Sequence, residues 1–157
     1  MRLGRAILAF LLLPGTIAFL VPLGMASATG SWQGFLPWGL PPLGAGIGVL
    51  IWCAGIFHVA GRGTLAPWMP PERLVQTGPY RLSRNPMYVA VLLILAGWAI
   101  GFGSSLLAGY AGAMAAVFHL RVVLHEEPAL ARRFGAAWTR YRDQVPRWVG
   151  RPRGTAG

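Results

Sequence analysis

Charged side chains are absent from long parts of this 157-residue chain. No Asp, Glu, Lys or Arg occurs from Ala6 to Gly61, and none occurs from Pro86 to Leu120. Only 11% of the residues are charged, whereas soluble domains carry about a quarter. Charge-free runs of this length are typical of segments surrounded by lipid rather than of a soluble core. We therefore predict an integral membrane protein.

Lysine is absent altogether, and acids are few. The 14 basic residues are all arginine, and the four acids are Glu72, Glu126, Glu127 and Asp143. A net charge of +10 could indicate a nucleic-acid partner. The arginines, however, lie beside the apolar runs, as do residues that set membrane orientation and face lipid headgroups. We expect a membrane partner and no nucleic acid.

Cysteine is almost absent, because Cys53 is the single one. One cysteine excludes a disulfide within the chain and any cysteine-based metal site. Cys53 lies inside an apolar run, so we interpret it as a small buried hydrophobic residue and expect no bound metal.

Apolar residues are concentrated in four segments of the chain. A single helix from Met87 to Leu120 would reach about 51 Å, far beyond the ~30 Å hydrocarbon core of a bilayer. Gly101–Ser105 interrupts that run with turn-forming residues, so we predict a helical hairpin there, preceded by two separate spans. The predicted helices are Ala6–Met25, Leu43–Ala60, Pro86–Ile100 and Leu106–Leu124.

The distribution of arginine predicts the orientation. The turns Thr29–Pro42 and Gly101–Ser105 contain no arginine, whereas arginines occur at both ends of the chain and in the connector Gly61–Asn85. The positive-inside rule then gives four spans in the inner (cytoplasmic) membrane, with both termini cytoplasmic. The N-terminus has an alternative, because Ala26-Ser27-Ala28 is similar to a signal cleavage site. Residues 1–28 are then either a retained helix or a cleaved signal.

A basic amphipathic segment follows the last span. Leu130, Phe134, Trp138 and Tyr141 recur at helical spacing among arginines, which predicts a helix over Pro128–Trp148 that lies on an anionic membrane surface. The prediction for residues 1–157 is one all-α integral membrane domain. It has four transmembrane helices, a cytoplasmic cofactor-binding connector and this amphipathic helix, with the functional core at residues 74–148.

The polar stretch between the second and third spans has the features of a turn that leads into a helix. Gly78-Pro79 is a turn signal. Asn85 is typical of an N-cap, and Pro86 suits the first helical turn because its missing N–H leaves no bond unmade. Tyr80 and Tyr88 would lie at the edge of an apolar span, where amphipathic rings are favoured.

Two adjacent acids, Glu126 and Glu127, lie at the predicted end of the last span. The dipole of a helix C-terminus disfavours negative charge, so we expect these acids to contact a positively charged group. They either pair with arginines such as Arg81, Arg84 or Arg121, or bind a cationic ligand by charge-assisted hydrogen bonds.

The order of short motifs from Leu74 to Trp148, about half of the chain, resembles one family. It is similar to the membrane methyltransferases of the isoprenylcysteine carboxyl methyltransferase and phospholipid N-methyltransferase group. The motifs are Gly78-Pro79-Tyr80-Arg81, Arg84-Asn85-Pro86-Met87-Tyr88, Glu126-Glu127-Pro128, Phe134-Gly135, Tyr141 and Val145-Pro146-Arg147.

The resemblance implies S-adenosylmethionine as cofactor and a lipophilic methyl acceptor, either a prenylcysteine-like carboxylate or a lipid. Carboxylates would bind the ammonium or the hydroxyls of the cofactor, and aromatic faces would favour its sulfonium. We expect the acceptor to enter sideways between the second span and the hairpin, where glycines leave room. The implied cofactor-binding residues are Leu74, Val75, Tyr80, Asn85, Pro86, Met87, Tyr88, Glu126 and Glu127.

The chain departs from the family pattern at two positions. Asn85 stands where His is common, and Val122 stands where eukaryotic relatives carry a substrate-contacting Arg. Arg121 is one residue away, so we predict that Arg121 takes the role of that arginine. With Glu127 from the Glu-Glu-Pro motif, it is predicted as a catalytic residue. Two alternatives stay open: a membrane lipid reductase that uses NADPH, and a membrane protein without catalysis. A transporter or channel would need an acid deep in a span, and the predicted spans contain none.

Overall fold

The computed structural model describes residues 11–30, 34–60 and 74–150, and these residues are helical or irregular without any strand. The predicted all-α class is thus confirmed. The start of the predicted first span and most of the predicted connector lie outside the described residues. The helices are α1 (wide π-type turns over Leu11–Leu20, then α-helix over Val21–Ala28), α2 (Leu40–Ala60), α3 (Pro86–Gly101), α4 (Ser105–Arg121), α5 (Glu127–Phe134) and α6 (Ala136–Gln144).

Among the described residues, two helical segments are long and apolar enough to cross a membrane, Pro37–Ile56 and Ser105–Phe134. Only 22% and 17% of the residues in their most apolar parts are buried, so they are not the enclosed core helices of a soluble protein. Two shorter apolar helices, Pro14–Ala28 and Pro86–Gly101, accompany them. Four complete spans and the sides of the termini stay predictions. Large apolar side chains exposed on the long segments include Leu40, Ile51, Trp52, Val117, Leu120 and Leu124.

Helices α2 and α3 pack closely through two glycines, in the region where we predicted room for a lipophilic acceptor. A Cβ added to Gly46 would lie 2.7 Å from the carbonyl oxygen of Ala90. A Cβ added to Gly97 would lie 2.7 Å from the backbone nitrogen of Leu43. Small residues allow two helix backbones to approach in this way. At these two points the glycines bring α2 against α3 and leave no gap, whereas Gly44, Gly48 and Gly55 of α2 have no atom within 4 Å of an added Cβ. Entry of an acceptor between the second span and the hairpin stays a prediction.

Several predicted helix ends shift by a few residues for local reasons. Helix α2 begins at Leu40, three residues earlier than predicted, because prolines are tolerated in a first turn, where their missing N–H costs nothing. Asn85 precedes α3 as predicted, but its side chain caps nothing. The turn before α4 has a genuine cap instead, since Ser104 Oγ accepts from the Leu107 N–H at 3.4 Å. Gly103 supports that turn with φ +58°.

The fourth predicted span does not end at Leu124. A π-type turn over Val122–Glu126 joins α4 to α5, so that Ser105–Phe134 is one continuous helical run of 30 residues. Pro128 has no N–H for the Leu124 carbonyl, and its ring would clash with that carbonyl in a regular α-helix. A wider turn accommodates the proline. The Glu pair consequently lies inside a helix, and the argument from a helix C-terminus was wrong.

The predicted single amphipathic helix Pro128–Trp148 is also wrong. Gly135, with φ +49°, separates α5 from α6, and residues 145–150 are not helical. A left-handed backbone of this kind favours glycine, which explains the break. The apolar side chains of the segment face the protein and not lipid. Trp138, Tyr141 and Val145 form a buried cluster, against which Leu74, Leu130 and Phe134 pack.

Candidate active site

The predicted site residues fall into three neighbouring groups around the N-terminal end of α3. The first joins Tyr88 to the π-type turn of the long helix. The second joins the segment before α3 to the C-terminal segment. The third is an apolar group in which Val75 and Tyr80 pack with Cys53 of α2, with Met87 against it.

In the first group, Tyr88, Arg121 and Glu126 share one set of hydrogen bonds. The Tyr88 hydroxyl donates to Glu126 Oε1. Arg121 Nε donates to the same oxygen at 2.9 Å and to the Tyr88 hydroxyl oxygen at 3.1 Å. The Tyr88 ring lies 4.6 Å from that of Phe118, centroid to centroid, which fixes its orientation. The side chains of Arg121 and Glu126 are 42% and 32% exposed, so this group is open to a ligand.

The π-type turn is what brings Arg121 to Glu126. Residues five apart lie roughly above one another when hydrogen bonds run from i to i+5, as the Glu127 N–H does to the Val122 carbonyl. In a regular α-helix, residues five apart would point to different sides. Val122, at the position where an arginine was expected from the resemblance, is fully buried in the helix packing. Arg121, and not residue 122, thus supplies the arginine side chain that contacts Glu126.

In the second group, Glu127 is held by two arginines. Arg84 Nη1 donates to Glu127 Oε1 at 2.7 Å, and Arg147 Nε and Nη2 donate to Oε1 and Oε2 at 2.8 Å each. The side chains of Glu127 and Arg84 are only 15% and 9% exposed. Burial lowers the pKa of Arg84, while the Glu127 carboxylate raises it. The Arg84 guanidinium also lies over the Trp138 ring, 5.5 Å from its centroid.

Residues 145–147, which we call the C-terminal clasp, bind the three residues that precede Pro86. Each of the three clasp carbonyls accepts a hydrogen bond. Because these bonds are consecutive along both segments, they fix the register of one against the other. They run from Arg84 Nε to Val145 O (3.0 Å), from Arg84 N to Pro146 O (2.9 Å), and from Asn85 Nδ2 and Ser83 Oγ to Arg147 O (3.1 and 3.3 Å).

The third group is buried and sets the position of the turn Gly78–Arg81. Tyr80 is 7% exposed, and its carbonyl accepts from the Tyr141 hydroxyl at 2.7 Å. Burial raises the pKa of both tyrosines, so both stay protonated at neutral pH. Leu74, which precedes that turn, packs on the Trp138 cluster instead. The third group packs against Met87, the neighbour of Tyr88 in the sequence, and contains no charged side chain.

Sequence reasoning found some partners of the two acids and missed one. It offered Arg81, Arg84 and Arg121 as candidates, and among the described residues the pairs with Arg84 and Arg121 are present. It did not include Arg147, which contacts Glu127 across 20 positions. The signal was available in Val145-Pro146-Arg147, but the helix predicted over those residues was expected to lie on an anionic membrane surface and not against the site. No cluster of three or more metal-ligating side chains occurs among the described residues.

Comparison with known proteins identifies the family. A family model described as phospholipid methyltransferase matches residues 45–137, which is more than half of the chain. Neither the curated proteins nor the solved structures contain a match. The matched range includes Tyr88, Arg121, Glu126 and Glu127 and ends before the clasp. Members of this family are methyltransferases that act on lipid. The chain belongs to the phospholipid methyltransferase family.

Proposed function

We propose that this protein transfers a methyl group from S-adenosylmethionine to a lipophilic acceptor at the cytoplasmic face of the inner membrane. The observation that carries the proposal is the group of Tyr88, Arg121 and Glu126, half exposed at the end of an apolar helix pair. When bound, the cofactor supplies a methyl group on a cationic sulfur. Displacement at that carbon needs alignment and exclusion of water more than acid–base groups.

The chemistry of this group fits a cationic cofactor. Glu126 offers a carboxylate whose Oε2 accepts no hydrogen bond within the described part of the chain. A partly exposed carboxylate of this kind can bind an ammonium group or ribose hydroxyls by charge-assisted hydrogen bonds. The packed rings of Tyr88 and Phe118, tilted by 32° to each other, add aromatic surface, which favours a sulfonium.

The wider set of cofactor-binding residues is part of the same proposal. Leu74, Val75 and Tyr80 form the apolar wall, and residues 85–87 lead directly into Tyr88. Glu126 is the carboxylate that we propose for the cofactor, because both oxygens of Glu127 are already bound by arginines. The catalytic and cofactor-binding roles predicted for Glu127 stay predictions.

The long helix offers the acceptor a second route, besides the predicted one between the second span and the hairpin. Val117, Leu120 and Leu124 are exposed at helical spacing on the same face of the long helix as Arg121. An acyl or prenyl chain can lie along this stripe within the bilayer while its headgroup reaches Arg121 and Glu126. Burial of the chain contributes about 0.8 kcal/mol per CH₂, so long-chain acceptors should bind better than short ones.

Binding of S-adenosylmethionine and NADPH to the detergent-purified protein tests the proposal. We expect saturable binding of S-adenosylmethionine in calorimetry and no binding of NADPH. Binding of NADPH alone would replace the proposal by a lipid reductase. Binding of neither by a folded protein would indicate a membrane protein without this chemistry.

A further inference from the structure

The C-terminal clasp lies outside the range that the family match covers, but it contacts the site from two directions. Its backbone holds the segment that leads into α3, through Ser83, Arg84 and Asn85. Its one charged side chain, Arg147, holds the carboxylate next to Glu126. The two chain segments that present Tyr88 and Glu126 are thus both fixed by the same residue.

The geometry of Arg147 makes this double contact specific. The guanidinium binds Glu127 with two parallel hydrogen bonds, the arrangement that orients a carboxylate as well as neutralising it. The carbonyl of the same residue accepts from Asn85 Nδ2, one residue before Pro86. A shift of Arg147 would therefore move Glu127 and Asn85 together. Tyr88 and Glu126 follow, because they lie on the same rigid helical segments.

We propose that Arg147 is a positioning residue of the methyltransferase site, which sets Glu126 opposite Tyr88 by holding Glu127 and Asn85. Glu127 is, in this view, the anchor for Arg147 and not a cofactor ligand. The inference rests on the proposed function, because a positioning role requires a site for S-adenosylmethionine. The effect of Arg147 on the segment before α3 can, however, be measured without any ligand.

A double-mutant cycle tests the inference. Arg147→Gln and Glu127→Gln are made singly and together, with Arg147→Lys as a milder variant. Arg142→Gln is the matched control, because Arg142 lies on α6 shortly before the clasp, is exposed and, within the described part of the chain, forms an ion pair with Asp143 alone. Calorimetry with S-adenosylmethionine gives two quantities for each variant, the Kd and the number of sites per chain.

We expect Arg147→Gln and Glu127→Gln each to raise the Kd about tenfold or more, with the number of sites unchanged. The double variant should be no weaker than the weaker single one, because both changes disrupt the same contact. The Kd of Arg147→Lys should be intermediate, since lysine keeps the charge but cannot form the two parallel hydrogen bonds of a guanidinium. Arg142→Gln should bind like the wild type.

Two results would overturn the inference. The first is a loss of sites at unchanged Kd, which would show that Arg147 stabilises the fold without positioning the site. The second is a double variant whose Kd rises by the product of the two single effects, which would make Glu127 an independent cofactor ligand.

Hydrogen exchange of the ligand-free protein separates this inference from the proposed function. In Arg147→Gln, amides of residues 83–88 should exchange faster than in the wild type, while those of α2 stay unchanged. If the wild type binds no S-adenosylmethionine, the proposed function fails and the exchange result alone decides the inference. Unchanged exchange at residues 83–88 would then reject it. If Arg147→Gln does not fold, Arg147→Lys gives the same comparison.

Discussion

At the scale of single residues, the chain separates its two adjacent acids by environment. Glu127 is buried against two arginines, and removing one partner of a buried ion pair leaves an uncompensated charge. Glu126 is more exposed and shares one oxygen with Tyr88 and Arg121. An acid held by arginines and the acid that we propose for the cofactor thus stand side by side in the sequence, and only their surroundings distinguish them.

Glu126→Gln should weaken binding of S-adenosylmethionine by about 1.5–3 kcal/mol, because a charge-assisted hydrogen bond becomes a neutral one. Asp143→Asn is the control, since Asp143 is 63% exposed and, in the ranges that the structure describes, forms an ion pair with Arg142 alone. Calorimetry on the two variants measures the difference. Equal affinities for Glu126→Gln and the wild type would remove Glu126 from the site.

Tyr88→Phe should lower the affinity for S-adenosylmethionine while the thermal midpoint changes little. The variant keeps the ring that packs on Phe118 and loses only the hydroxyl that donates to Glu126. Tyr110→Phe is the matched control, because its hydroxyl donates to the Ile17 carbonyl at 3.3 Å, away from the site. If both variants bind equally well, the Tyr88 hydroxyl has no part in binding.

At the scale of helices, the tight contact of α2 with α3 fixes the position of α3, the helix that contains Tyr88. The contact depends on glycines that face the neighbouring backbone, whereas other glycines of α2 face open space. Close backbone approach of this kind tolerates no added methyl group on the contact side, since overpacking forces the helices apart.

Gly46→Ala should therefore destabilise the protein by about 1–3 kcal/mol. Gly48→Ala, two residues away with no atom within 4 Å of its added Cβ, should be neutral or stabilising by about 0.5–1 kcal/mol through helix propensity. Thermal unfolding in detergent measures both. Equal midpoints for the two variants would contradict the close packing of α2 on α3.

The sequence predicted the parts of the fold that depend on local pattern. Charge-free length and the Gly101–Ser105 break gave the positions of α2, α3 and the start of α4 to within a few residues. The continuation of α4 into α5 was missed, because a proline usually marks a helix start and here is accommodated by a π-type turn.

The site was predictable to the extent that motifs carry it. Tyr88 and Glu126 were named from the sequence, and the structure places them in contact. The position of the C-terminal clasp was not predictable, because it depends on tertiary packing of a non-helical segment, such as the contact of Arg147 with Glu127, in a region where the sequence pattern predicted a helix. Periodicity describes which face of a helix is apolar, but it does not say what that face packs against.

At the scale of the whole molecule, the long segments expose apolar side chains and the polar groups gather at one end. Two neighbouring hydrogen-bonded groups lie around the start of α3. One contains Arg121 and Glu126, and the other contains Arg84, Glu127 and Arg147. A site at one end of an apolar helical body suits a water-soluble cofactor and a membrane-embedded acceptor, which reach it from different phases.

Reporter fusions should place Ser104 and Gly157 on opposite sides of the membrane, with Gly157 in the cytoplasm. The reason is that the turn before α4 contains no arginine, whereas the C-terminal region is rich in it. Helix α3 has 16 residues and reaches about 24 Å, so its crossing requires local thinning of the bilayer. Fusions at the two positions that report the same side would contradict the hairpin topology.

Methyl transfer into membrane lipid tests the central claim most directly. Membranes that contain the wild-type protein are incubated with S-adenosylmethionine labelled in its methyl group and then extracted with organic solvent. We expect the label in the lipid phase with the wild type, a strong reduction with Glu126→Gln, and wild-type incorporation with Asp143→Asn. No incorporation above protein-free membranes, by a wild-type protein shown to be folded, would contradict the assignment as a lipid methyltransferase.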